Sequence, residues 1–325
     1  MLALPLAHLA AGPFEPLQLV PAGVLAALYA HRARTLAREG RPVASWRQWS
    51  FYGGLALIAG TLLSPLGHIS DELLMAHMAE HLLMADIGAL LVVLGLTGPL
   101  LAPVLRVRAL HRLSGLAHPA VALPLWAVDL YVWHVPVLYQ AALRHPAVHA
   151  AEHALFIACG VNMWMPLFGP LPKPAWFGNL ARLGYIVAVR LTGAVLGNVF
   201  LWAGSVFYPF YRRGEAFWHI SPLSDQITAG AVMMVEGSIV TICLFAWLFL
   251  RAAQEGEERQ ELLDLAGARG IALSESRAAR AVAAGRGAEL RGRIERGASP
   301  EGRVGESAPA FDDSSAGRDV QASVP

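Results

Sequence analysis

The chain has 325 residues, of which 55% are hydrophobic and only 15% charged, and its formal net charge is +1. Soluble domains carry about a quarter charged residues, so a soluble globular body is excluded for most of the length, and a nearly neutral chain offers no electrostatic case for nucleic acid. The charge is also uneven: 24 charged residues fall in 251–325, which leaves the first 250 at about one in ten and points to a polytopic membrane protein.

Spanning helices need about 20 mainly apolar residues. Seven such segments are expected, at about 16–33, 48–65, 73–98, 119–139, 150–168, 184–208 and 226–250. The fold class is therefore all-α, with a transmembrane helical domain over 1–250. A charged, largely disordered tail is expected over 251–325, with helix about Glu257–Ala266 and disorder over 297–325. The first segment is the weakest, because Pro16 and Pro21 interrupt it and His31 and Arg32 close it. Pro65, Pro99, Pro124 and Gly193 are tolerated, since membrane helices accept both residue types. Residues 1–15 lack a basic n-region, so no cleavable signal peptide is expected.

Loop charges set the orientation. Arg34, Arg38, Arg41 and Arg47 follow the first segment, Arg106, Arg108 and Arg112 the third, and Lys173 and Arg182 the fifth. The alternate loops are poorer, with Arg144, Arg212 and Arg213. The N-terminus is then outside and the tail cytoplasmic. Cys159 and Cys243 lie inside expected helices and do not read as a disulfide framework, and Cys159 reads as a buried small hydrophobe.

One five-residue pattern occurs twice: His77-Met78-Ala79-Glu80-His81 and His149-Ala150-Ala151-Glu152-His153. Histidines at i and i+4 share a helix face. The orientation places both pairs near the outer membrane surface, with His134 at the outer end of the fourth segment and His68, His145 and His219 in outer loops. Two imidazole pairs at one depth form a candidate metal site at His77, His81, His149, His153 and His134. Imidazole suits copper, zinc and iron, and thioether sulfur selects Cu(I). Met75, Met78 and Met84 flank the first pair, while Met233 and Met234 lie in the outer half of the last segment. Glu80 and Glu152 stand ready to orient imidazoles.

Other readings remain open. H-x-x-E-H resembles a zinc-protease signature, though two copies exceed one catalytic site and no third ligand is evident. A b-type haem electron-transfer protein would use the same histidines as axial ligands, and a metal transporter would lean on Asp86 and Glu236 along a path. Asp86, Asp129, Arg190 and Glu236 are intramembrane charges. An ion pair of Arg190 with Asp86 or Glu236 is the structural expectation, and a proton or ion path the functional one. Asp225-Gln226 open the last segment, where an acid either caps the helix N-terminus or supports the site.

Several blocks resemble the CtaG family of assembly factors for caa-type cytochrome c oxidase. They are His77-x-x-x-His81 with Gly95-Leu96-Thr97-Gly98-Pro99, and the run Trp133-His134-Val135-Pro136-Val137-Leu138-Tyr139-Gln140-Ala141-Ala142-Leu143. His149-x-x-Glu152-His153, Trp164 before Pro166, and Ser221-Pro222-Leu223-Ser224-Asp225-Gln226 with Ala229-Gly230 and Met233 complete them. The resemblance covers most of 45–250. It implies a multi-pass protein of the cell membrane that aids maturation of haem-copper oxidase subunits at their copper centres. Copper as cargo is the hypothesis that the histidine site adds, and transfer by ligand exchange needs no bond-making catalysis, so no enzyme activity is expected.

Overall fold

In a computed structural model the described residues run from 19 to 297, without 175 and 284 and without the side chains of Ala109, Leu110 and His111. The start of the first expected segment, His8, and the disorder expected beyond 297 lie outside the described residues. Every regular element among them is helical: α1 Val20–Arg38, α2 Ser45–Leu63, α3 Pro65–Ser70, α4 Leu74–Gly95, α5 Gly98–Leu105, α6 Arg108–Leu113, α7 Pro119–Trp133, α8 Pro136–Arg144, α9 Pro146–Phe168, α10 Asn179–Trp202, α11 Arg212–Phe217, α12 Pro222–Ala268, α13 Glu275–Ala283 and α14 Gly287–Glu295.

Seven spans were expected, and here the structure corrects the sequence. Three helices are long and apolar enough to cross a membrane: α4, α10 and α12. A fourth span arises if α7 and α8, bent by 72°, are one broken crossing. The other expected segments do fold as helices but carry too much polarity. Helix α1 holds His31, Arg32, Arg34 and Arg38, α2 opens on Ser45-Trp46-Arg47-Gln48, and α9 gives its first turns to His149, Glu152 and His153. The α7–α8 bend follows from Pro136. A residue before proline avoids the helical region, and Val135 adopts ψ 126°. The His134 carbonyl left there accepts from the Tyr208 hydroxyl at 2.8 Å.

The chain divides at Leu248/Phe249 into two units. In the first, α4 is the axis. Helix α2 packs on one flank and α9 on another, with α7 and α8 against α9 and α10 against α7. Arg32 donates to the Pro99 carbonyl in the first turn of α5, and Arg47, read as a loop charge, closes the end of α4 by donating to the carbonyls of Leu94 and Leu96 at 2.9 and 3.0 Å. Cations there satisfy the orphan carbonyls of a helix C-terminus. At the α4–α9 crossing, a Cβ on Gly160 would overlap the Ala85 carbonyl, so only glycine lets these two backbones meet. In the second unit, through residue 297, Leu262, Ala266, Val282, Leu290 and Ile294 form a small core, so this part of the tail is helical.

Candidate metal centre

The α4–α9 crossing brings the two histidine pairs face to face. His77 and His81 project from the first turns of α4, and His149 and His153 from the first turns of α9. Ring centroids are 4.3 Å apart for His77–His81 and 4.2 Å for His149–His153. Across the helices they are 5.6 Å for His77–His149 and 5.1 Å for His81–His153. One donor atom each from His77, His81, His149 and Glu152 lies within 4.8 Å of the others. Tetrahedral bonds of about 2.0–2.1 Å place donors about 3.3 Å apart, so small rotamer changes close this set on an ion.

Burial sharpens the chemistry. His77 and Glu152 are 0% and 1% exposed. Both ring nitrogens of His77, His81 and His153, Nε2 of His149 and both carboxylate oxygens of Glu152 are buried without a hydrogen-bond partner. Buried polar groups are nearly always paired, and exceptions point to strain, chemistry or an ion. A site of this donor set fits a borderline or soft cation such as copper or zinc.

His153 completes the cluster by packing against His81 and His149, though it is outside the tightest set. His134 stands apart, with its ring 6.0 Å from Tyr139 and from Phe156. Its Nδ1 lies 2.7 Å from the Leu130 carbonyl. A carbonyl only accepts, so Nδ1 carries the proton and Nε2 keeps a lone pair, buried and unpartnered. The second acid of each motif differs in place: Glu152 joins the donor set, whereas Glu80 lies outside it, buried with Oε2 unpartnered. A π-helical segment, Leu82–Gly88, follows His81 directly. Such segments are frequent at functional sites.

Three tyrosines were not singled out from sequence. Tyr139 and Tyr211 share a hydrogen bond of 2.8 Å, Tyr208 stacks on Tyr139 at 4.0 Å, and all three are buried. Tyr139 also touches His77, with centroids 5.2 Å apart. Burial first pushes the Tyr211 hydroxyl well above its ordinary value; its hydrogen bond from Tyr139 opposes this, and the charges of Glu152, Asp71 and Asp225 add to it. The wall beside His77 is therefore neutral phenol. Nothing in the spacing of these tyrosines marks them in the sequence.

Of the two roles open to Asp225, cap of its own helix or support of the site, the contacts favour the second. Ser221 caps its own helix, accepting from Ser224 N at 3.1 Å. The Asp225 carboxylate instead reaches the start of α4, accepting from Leu74 N at 2.7 Å and Met75 N at 3.0 Å. It thereby anchors the turn that presents His77. Gln226 ties the 203–211 loop by accepting from Phe207 N at 2.9 Å and donating to the Ser205 carbonyl at 3.0 Å.

Three of the four charges expected within the membrane, Asp86, Arg190 and Glu236, form an ion cluster, and Asp129 lies outside it. Arg190 forms two hydrogen bonds with Asp86, one of them at 3.1 Å, and lies 3.8 Å from Glu236. Its guanidinium also sits 5.0 Å over Trp164, whose Nε1 donates to the Asp86 carbonyl at 3.0 Å.

No solved structure matches the chain. Uncharacterized proteins of Mycobacterium bovis and Mycobacterium tuberculosis are each 26% identical to it over 229 residues, 65% of this chain. The chain spans about a third (35%) of the length of these curated relatives. Residues 27–255 match the cytochrome c oxidase caa3 assembly factor family, a stretch that holds the α4–α9 crossing and every residue of the cluster. On that match, which covers well over half of its length, the chain belongs to the cytochrome c oxidase caa3 assembly factor family.

Proposed function

We propose that the chain is a multi-pass protein of the cell membrane that carries copper and supplies it to a cytochrome c oxidase subunit. Copper would be held by His77, His81, His149 and His153, with Glu152 as the compensating charge and His134 nearby. The observation that carries this reading is the unpartnered state of the buried donors in these residues. An ion supplies the missing partner for imidazole lone pairs and carboxylate together, which apolar packing cannot do.

The copper is cargo, so no covalent bond to carbon, nitrogen or oxygen of a substrate need form or break, and the reading is of a carrier and not an enzyme. Exposed apolar side chains along the candidate spans, among them Val187, Leu191, Ile239 and Ile242, suit the lipid bilayer and a partner docking sideways within it. No observation favours a b-type haem or a metal importer. Imidazole rings 4.2–5.6 Å apart leave no slot for a porphyrin between them.

The test is cellular. Strains carrying His81→Ala or His153→Ala should assemble oxidase with reduced copper at unchanged levels of the factor. Full oxidase copper in both strains would refute the copper-supply reading.

A further inference from the structure

His81 has a second neighbourhood. It also lines a cavity of about 560 Å³ walled mainly by α4, α7, α10 and α12. His134, Met78, Met233 and Met234 line the same cavity on an otherwise mostly apolar surface. The His134 lone pair at Nε2 is buried and without a partner. Asn198 Nδ2 donates to Met234 Sδ at 3.5 Å, which orients that thioether. Met78 and Met233 are buried.

We propose that this cavity is a separate Cu(I) site, built from His134, Met233 and Met234, that receives copper from the histidine cluster through His81. The source of the ion rests on the copper reading above, but the site stands on its own residues. Thioether sulfur binds Cu(I) and rejects hard divalent ions. Asp86, Arg190 and Glu236 line this cavity as well, with both carboxylates on the one guanidinium. Glu236 Oε1 has no hydrogen-bond partner there.

The transfer is ligand exchange. Bonds from copper to His77 and His149 nitrogens break as bonds to His134 Nε2 and a thioether form, while His81 stays bound. Copper remains Cu(I), and no electron or proton moves. The lining residues Val187 and Leu191 of α10 and Ile242 of α12 are exposed. The cavity thus opens sideways between these helices, where an acceptor in the bilayer can reach the ion.

The experiment is a silver titration of the detergent-purified full chain in chloride-free buffer, with silver as a redox-inert stand-in for Cu(I). X-ray absorption reports sulfur neighbours. The proteins compared are wild type, Met233→Leu/Met234→Leu and His77→Ala/His149→Ala. Leucine conserves volume, so the core should hold. The proposal expects the leucine variant to lose one equivalent and all sulfur scattering while keeping nitrogen-bound silver. The retained equivalent also shows that the variant is folded. It expects the alanine variant to keep the sulfur-bound equivalent. If sulfur scattering persists in the leucine variant, or both equivalents vanish together in a folded protein, the separate site is refuted. If the alanine variant binds silver as wild type does, the histidine cluster is not a metal site, which overturns the source of the ion but not the cavity site.

Discussion

Asp225 ties the two ends of the described core, and its removal has a calculable effect. The carboxylate is 0% exposed and accepts from Leu74 N and Met75 N, the first free amides of α4. Each buried N–H left without a partner costs about 1–3 kcal/mol, so Asp225→Ala should destabilise the protein by about 2–6 kcal/mol. Loss of a negative charge at a helix N-terminus adds about 0.3–1 kcal/mol. Asp225→Asn keeps one acceptor oxygen, so it should cost about 1–3 kcal/mol. For a unit of this size each kcal/mol moves the melting temperature by about 2–4 °C, which gives a fall of roughly 2–12 °C for the asparagine variant. The same change frees the turn that carries His77, so retained copper should fall more than in a substitution of equal cost far from α4. Thermal melting in detergent and metal analysis of the same samples measure both. An alanine variant that melts with wild type would refute the assignment of Asp225 as the anchor of α4.

Gly160→Val should cost about 1–3 kcal/mol by overpacking and should separate the histidine pairs, because a Cβ there meets the Ala85 carbonyl; melting and metal content should fall together. Arg190→Met leaves Asp86 and Glu236 facing each other unpaired and should cost about 3–5 kcal/mol, with Asp86→Asn in the same chain recovering part of the loss on melting. Glu215 is buried with Oε2 unpartnered, and burial first, then the charge of Asp225, raises its carboxyl above the ordinary value despite Arg212. A raised folded value means that its contribution is fully present below the unfolded value and is lost as pH climbs through the folded one. Melting temperature should fall across that window in wild type, and the slope should flatten in Glu215→Gln.

The histidine cluster was legible because i,i+4 spacing puts two side chains on one helix face whatever the helix packs against. That the two faces would meet was not. It depends on Gly160 against Ala85, a contact between residues 75 positions apart whose small side chains are common in any helix. The ion pair of Arg190 with Asp86 was expected from burial alone, since intramembrane charges need partners. The seven-span reading failed where apolar counting ignored polarity concentrated toward helix ends, the last turns of α1 and the first turns of α2 and α9. Arg47 was read as a loop charge and in fact closes the end of α4. The role of Asp225 was legible only as a choice between cap and site support, because capping rules look within a helix, whereas its carboxylate serves another helix 150 residues earlier. The bend after Trp133 was written in Pro136, but a proline signals only a break and not its angle.

The central claim is that the α4–α9 imidazole cluster binds copper. The most direct measurement is metal content with an absorption spectrum on the detergent-purified protein, beside His77→Ala/His149→Ala protein, both prepared in copper-replete reducing medium. The account predicts stoichiometric copper in wild type, lost in the variant, with no haem bands in either. Wild-type protein without copper, or a variant that keeps it, would contradict the account, and a Soret band lost in the variant would replace copper with haem.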